Sequence, residues 1–202
     1  MPDAVQDPHA ILNYIKCKNI DRLIIAHLNI NSIRNKFVAL KQLVNGKVDI
    51  LVITESKIDS SFPLQLFRIE GYSQYRVDRS SEGGGVVVYI REDLPSRKLN
   101  IPCEEIEGIF IEINIKNNKW LLFGGYNPEK PKIGIFLEKL QIKIDQYMKN
   151  YENFLILGDF NSEITEEKIK SFCEMYGLKN IVKGPTCYKN PIKPTSIDLI
   201  LN

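Results

Sequence analysis

The sequence predicts an α/β fold of the α+β kind, a four-layer α/β/β/α sandwich, on three observations. A strand–helix–strand unit opens the chain after residue 22. A block of extended, partly period-two segments fills its middle. A helix–strand–helix unit then returns before a last strand. About nine strands against two or three helices is too strand-rich for a doubly wound parallel sheet. Two sheets packed face to face, with helices on their outer faces, fit that balance.

Residues 1–22 read as a leader. Pro2 and Pro8 precede a short helix-capable stretch at 10–15, and nothing periodic follows. The domain runs over 23–202. Residues 23–30, LIIAHLNI, form an unbroken apolar run, the mark of a strand buried on both faces. Ser32 is placed to cap a helix from Ile33, in which Phe37, Leu40, Leu43 and Val44 recur at helical spacing until Gly46 stops it. Residues 49–55 are a second buried strand, and the helical crossover makes the two strands parallel neighbours. Strand-like stretches follow at 71–78, 84–91, 106–115 and 119–125. Ile109, Ile111, Ile113 and Ile115 share one face, and Phe110, Glu112 and Asn114 the other. Asn117-Asn118 reads as the tight turn of a hairpin, with Trp120 and Phe123 in the core. Residues 133–147 carry a helical stripe of Ile133, Phe136, Leu137, Leu140, Ile144 and Tyr147. Residues 154–157 form a third buried strand. Thr165 is placed to cap a helix ended by Gly177, and 196–201 make the last strand.

Composition narrows the functional classes. Of 202 residues, 44% are apolar and 26% charged, which excludes long disorder. No apolar run approaches the roughly 18 residues of a membrane span, and the first residues carry no secretory signal. Lys and Arg number 27 and Asp and Glu 25, a balance of +2 that neither demands nor excludes a nucleic-acid partner. Cys17, Cys103, Cys173 and Cys187 form no C-x-x-C pair, so free thiols are expected rather than a zinc site. His9 and His27 are the only histidines.

Polar groups stand where the apolar strands run out: Asn29, Glu55, Tyr126, Asp159 and Asn161. One carboxylate at a strand end is ordinarily a solvated terminus. Five groups after four strands suggest a ligand site at the carboxyl edge of a sheet. Glu55 and Asp159 are hard oxygen ligands of the kind Mg²⁺ takes alongside water and substrate phosphate. The amides of Asn29 and Asn161 suit a phosphate oxygen. Tyr126 can donate a hydrogen bond to charge developing on phosphorus. The set fits metal-assisted attack of water on a phosphoester. It does not fit Ser/His/Asp acyl transfer, for which no nucleophile elbow exists.

The segments LNINSIRNK, LVITES, GGGVVVYIR, GGYNPE, LILGDFN and TSIDLIL occur in this order. The series resembles the endonuclease/exonuclease/phosphatase superfamily with its DNase I-like fold. It is most like the endonuclease domain of non-LTR (LINE-like) retrotransposons. The resemblance implies Mg²⁺-dependent hydrolysis of DNA phosphodiester bonds, with Mn²⁺ as substitute, for target-site nicking. It implies DNA as partner, no membrane, a nuclear place of action, and a reverse transcriptase in the same element. It makes Glu55 the principal metal ligand, with Asn29 near metal and phosphate. Tyr126 supports the phosphate, Asp159 activates the water, and Asn161 partners it. Asp198 corresponds to the aspartate that orients a catalytic histidine. Thr186 resembles a polar residue near the DNA-binding surface, and Arg34 and Lys36, which lie beside the first motif, are candidates to line a DNA groove as substrate-binding residues.

Two departures stand against it. Asn127 occupies a place where many relatives carry Arg. The strand with the catalytic histidine is expected after the Ile-Asp-Leu-Ile segment, and the sequence stops at Asn202. The domain therefore reads as incomplete at its C-terminus and the enzyme as impaired, with Asp198 lacking an imidazole to orient. Two alternatives follow: an inactive fragment with residual nucleic-acid binding, or a phosphatase of the superfamily acting on a non-DNA phosphoester. His27 is expected to pack within the first strand. Gly83 to Gly85 are expected to form a plain turn, and Glu104, Glu105 and Glu107 an acidic run on a loop and strand edge.

Overall fold

The computed structural model describes residues 7–103, 106–128, 132–163, 165–187 and 195–202. The elements are α1 (Pro8–Lys18), β1 (Ile25–Asn29), α2 (Phe37–Val44), β2 (Ile50–Thr54), β3 (Tyr72–Val77), β4 (Val86–Arg91), β5 (Ser96–Lys98), β6 (Glu107–Ile115), β7 (Asn118–Tyr126), α3 (Ile133–Tyr147), β8 (Asn153–Asp159), α4 (Glu167–Tyr176) and β9 (Asp198–Leu201).

The strands form two sheets, ordered β1-β2-β4-β3 and β5-β6-β7-β8-β9. Only β1–β2 and β7–β8 pair in parallel. Strand alternation divides the apolar residues among three cores. Ile50, Val52, Val86 and Val88 of the first sheet meet Ile109, Ile111, Leu122 and Leu157 of the second between the sheets. Leu51, Ile53, Val87 and Tyr89 point outward onto Leu40 and Val44 of α2. Phe110, Phe123 and Ile156 point outward onto Phe136 and Leu140 of α3 and Phe172 of α4. Three cores make four layers, the α/β/β/α sandwich. Each side chain fully buried among them contributes about 1.5–3 kcal/mol against the entropy of ordering the chain. No described helix is long and apolar enough to cross a membrane. All four cysteines are free thiols.

Several local expectations are corrected. The leader carries α1, capped by Asp7 Oδ1 on the His9 amide at 3.0 Å. It is docked: Leu12 packs against the outer core of the first sheet, and Lys16 Nζ lies 3.2 Å from the buried Asp49. Residues 1–6, Glu104 and Glu105 lie outside the described residues. α2 starts at Phe37 rather than Ile33. Asn31 and Ser32 take left-handed backbone, and the amides of Ser32 and Ile33 donate to the carbonyls of Glu55 and Ser56. Bonding to the neighbouring loop thus displaces the first helical turn. The hairpin turn is Lys116-Asn117, both left-handed, with Ile115 opposite Asn118. That is the two-residue turn whose twist matches its strands. Thr165 does not cap α4; its hydroxyl donates to Glu163 and the cap position is Glu166.

Candidate active site

Register gathers the polar residues. Glu107 lies opposite Tyr126, Tyr126 opposite Asp159, and Asp159 opposite Asp198. One row across four strands of the second sheet therefore carries four polar side chains at a single end of the sandwich. In the first sheet Asn29 lies opposite Thr54, with Glu55 next along the chain. The end of β1 and the end of β8 meet directly, because Asn29 Nδ2 donates to Asp159 Oδ2 at 2.7 Å.

A cavity of about 440 Å³ opens there, lined by Asn29, Asn31, Glu55, Lys57, Asp159, Thr186, Cys187, Ile197 and Asp198. A larger one, about 580 Å³, lies at the opposite strand ends between Ile25, Trp120 and Leu155. Its lining mixes apolar residues with Lys16, Arg22, Asp49 and Arg91 and holds none of the predicted site residues, so size alone does not locate the chemistry.

The backbone around the smaller cavity is unusual. Asn31, Ser32, Glu55, Lys57 and Asn161 all have φ between 44° and 77°. Such conformations are uncommon outside glycine and gather at functional sites. Interlocked amides hold them. Besides the two bonds that displace the start of α2, Ser56 and Lys57 donate to the carbonyls of Gly85 and Gly84.

Each predicted residue can now be placed. Tyr126 donates its hydroxyl to Glu55 Oε1. Burial, reinforced by Glu55, pushes that hydroxyl above the ordinary tyrosine range, so it stays a donor. Asp159 is 3% exposed; its Oδ1 accepts from the Asn161 amide at 3.0 Å and its Oδ2 from Asn29. The Asn161 side chain turns away to the Asn127 carbonyl at 2.8 Å, and so locks the turn after β8 rather than facing the cavity. Thr186 lines the cavity, and its Oγ1 accepts from the amides of Ile197 and Asp198, both at 3.2 Å. Neither Arg34 nor Lys36 lines it. Lys36 donates back to the carbonyls of Ile30 and Asn31, and Arg34 reaches the Ser81 carbonyl at 3.2 Å. Asn127 is buried and donates to the Phe160 carbonyl at 2.9 Å, so it anchors the turn.

Further functional residues escaped the sequence reading. Lys57 Nζ sits 3.6 Å from Glu55 Oε2 and donates to Asn31 Oδ1 at 2.6 Å. Glu107 is not a loosely held surface acid: it is tied to Arg79 and to the Gly85 amide. His27 packs in β1 as expected, with a side chain 4% exposed. Its Nδ1 lies 3.3 Å from Asp198 Oδ1, so Asp198 does have an imidazole beside it. Its Nε2 lies 3.0 Å from Thr54 Oγ1. The signal was present: His27 and Asn29 are two apart on a strand and share a face.

Burial lowers His27 to about 4 and raises Asp198 to about 6, the latter helped by the charge of Asp159. At neutral pH the contact is therefore a neutral imidazole beside a carboxylate, not an ion pair. The two groups oppose one another in stability. His27, with its folded value depressed, contributes stability above about 6.5 that is lost as pH falls towards 4. Asp198, with its folded value raised, contributes stability below about 3.8 that is lost as pH rises through about 6. His27→Gln is expected to gain melting temperature relative to wild type between pH 6.5 and 4.5, and Asp198→Asn to lose it. Thermal denaturation at the two pH values checks both signs.

The fold has known counterparts. The chain matches the model described as "Endonuclease/Exonuclease/phosphatase family" over residues 26–200. No curated protein sequence matches it significantly. Among solved structures it is similar to the endonuclease domain of TRAS1, a telomere-specific non-LTR retrotransposon. That match has 15% identity, covers 89% of this chain and 82% of that one, and has a TM-score of 0.64. It is similar to an AP endonuclease from Archaeoglobus fulgidus, with 20% identity, coverage of 89% and 86%, and a TM-score of 0.62. It is also similar to a mannosyl-6-phosphatase from Bacteroides thetaiotaomicron, with 15% identity, coverage of 89% and 85%, and a TM-score of 0.63. At such identities the structures attest the fold, and the family model spans nearly the whole of it, so the chain belongs to the endonuclease/exonuclease/phosphatase family.

Proposed function

We propose that the chain is a Mg²⁺-dependent phosphodiesterase that nicks DNA, of the kind that opens a target site for a retrotransposon. The observation that carries this reading is the meeting of Glu55 from the first sheet and Asp159 from the second on one open cavity, with Asn29 bridging the sheets. Among the described residues no three or more His, Cys, Asp or Glu side chains group as a metal cage. One or two carboxylates with water and phosphate oxygens are what Mg²⁺ uses beside a substrate, so the donor set fits. Glu55, with the Asn29 side-chain oxygen, would hold the ion. Bound there, Mg²⁺ neutralises charge on the phosphate and the leaving oxygen.

The remaining roles belong to the protein. Asp159, gripped on both oxygens, is oriented to take a proton from the attacking water. Tyr126 gives its single O–H to Glu55 and so acts on the phosphate by holding that carboxylate in place. Lys57 adds a positive charge at the cavity wall, where Asn127 offers none. Thr186 lines the cavity as a contact for the DNA backbone, Arg34 lies outside it on the exposed surface, and Lys36 acts by bracing the loop that carries Asn31. The nucleus would be the place of action and a reverse transcriptase of the same element the partner.

Incubation with supercoiled plasmid and Mg²⁺ or Mn²⁺ tests the reading. Open circles are expected, and Glu55→Gln should slow their appearance by more than the roughly 10-fold to 100-fold that loss of a group merely orienting a metal ligand costs. No nicking with either metal, or nicking indifferent to Glu55→Gln, would overturn it. Release of phosphate from p-nitrophenyl phosphate without nicking would favour a phosphatase.

A further inference from the structure

We infer that Arg79 and Glu107 are positioning residues of this site: a cross-sheet ion pair that sets the Tyr126 ring and, through its hydroxyl, Glu55. The inference rests on the reading of the site as a phosphoester hydrolase.

Glu107 opens β6 beside Tyr126, and its side chain is only 11% exposed. One carboxylate oxygen accepts from the Gly85 amide; the other accepts from Arg79 Nη1 at 2.8 Å. Arg79 and Gly85 belong to the β3–β4 connection of the first sheet, whereas Glu107 belongs to the second. The pair therefore ties the two sheets together beside the cavity. Arg79 is itself fixed, because its Nε donates to the Gly83 carbonyl at 3.0 Å. Its guanidinium then lies over the face of Tyr126, 5.9 Å from the ring centroid, where a cation is attracted by the ring quadrupole. The Tyr126 hydroxyl completes the path at Glu55.

The glycine run is shaped around this pair. A Cβ at Gly84 would fall 2.3 Å from Glu107 Oε1 and 2.5 Å from Arg79 Nε. One at Gly85 would fall 2.3 Å from Ser56 Oγ, next to Glu55. The segment is the connection of the β3–β4 hairpin, as expected, and it also cradles the pair. Tyr126 has two rotatable side-chain torsions and must hold its hydroxyl on a carboxylate borne by the other sheet. A clamp between the sheets, with a lid on the ring, restricts both the torsions and the gap. Displacement of a reacting group by about 1 Å can cost on the order of 10² in rate, so such a clamp bears on turnover without touching substrate.

The test compares wild type with Arg79→Gln, Glu107→Gln and the double variant. Three quantities are read: kcat and KM for phosphodiester hydrolysis, the ring resonances of ¹³C-labelled Tyr126, and melting temperature. Each single variant is expected to lower kcat by about 10-fold to 100-fold with little change in KM. The double variant should be no worse than the worse single one, because both break the same path. The Tyr126 resonances should shift in all three. Arg79→Lys, which keeps the charge but not the planar group, should fold and recover only part of kcat. Unchanged kcat, an unmoved Tyr126, or fully additive losses would overturn the inference. A loss of kcat that merely follows melting temperature, with Tyr126 unmoved, would do the same. If wild type itself hydrolyses nothing, the functional reading fails, and the Tyr126 resonances alone decide this one.

Discussion

Asp159→Asn is expected to lower phosphodiester hydrolysis by about 10²–10⁴-fold while leaving the protein folded. The substitution keeps the shape of the side chain and an oxygen for the Asn161 amide, which now donates to Oδ1 at 3.0 Å. With that oxygen on Asn161, the new amide nitrogen faces Asn29 Nδ2, so the 2.7 Å contact is lost unless the Asn29 amide flips. What is lost is an anionic acceptor for the proton of the attacking water. Asn29→Ala should cost less, because it removes a neutral ligand of the ion and a group that orients Asp159 but leaves the anionic acceptor in place. Single-turnover nicking rates in Mg²⁺, with circular dichroism melts of each variant, separate the effects. An Asp159→Asn protein that nicks like wild type would remove Asp159 from the path of the proton.

The largest effect on stability is expected at Gly158. It lies opposite Gly125 in the parallel β7–β8 pair. A Cβ there would fall 1.8 Å from the Gly125 carbonyl oxygen and 2.8 Å from its carbonyl carbon. These are backbone atoms in the middle of a sheet, so the clash cannot be relieved by rotating a side chain. Gly158→Ala should cost more than about 3 kcal/mol, beyond the usual range for overpacking. Gly177 is the control: its φ is 65°, yet a Cβ there meets nothing within 4 Å. Gly177→Ala should cost only about 1–2 kcal/mol of left-handed strain. Urea denaturation of both variants gives the comparison, and equal losses would refute the argument from close approach.

What the sequence made legible follows from the range over which each signal acts. The strands at 49–55 and 154–157 are interior strands of their sheets and largely buried, as their apolar runs indicate, whereas β1, read as buried too, is an edge strand whose Leu28 and Asn29 are exposed. The bounds of α3 matched, and Ile133, Phe136, Leu137, Leu140 and Ile144 of its stripe are buried while Tyr147 is partly so, because helical spacing alone decides which face meets the sheet. The start of α2 was misplaced because Ser32 and Ile33 bond to a loop more than 20 residues ahead, which no local pattern reveals. The same holds in the site. Asn29, Glu55, Tyr126 and Asp159 were found because strand ends of a sheet share an edge. The Arg79–Glu107 pair and the His27–Asp198 contact depend on how one sheet lies on the other, and only the packed molecule displays that.

The place of β9 bears on when the molecule becomes competent. β9 is the edge strand of the second sheet, and its pairing with β8 brings Asp198 opposite Asp159. The earlier strands can all be joined while the chain is still emerging from the ribosome, since β1 through β8 need nothing beyond Asp159 for their pairing. His27 would wait in its strand with no carboxylate beside its Nδ1, and the cavity would lack the wall made by Thr186, Ile197 and Asp198. Closure of that wall therefore follows synthesis of all the strands that bear Asn29, Glu55, Tyr126 and Asp159. The rim of the cavity is thereby younger in the life of the chain than its floor.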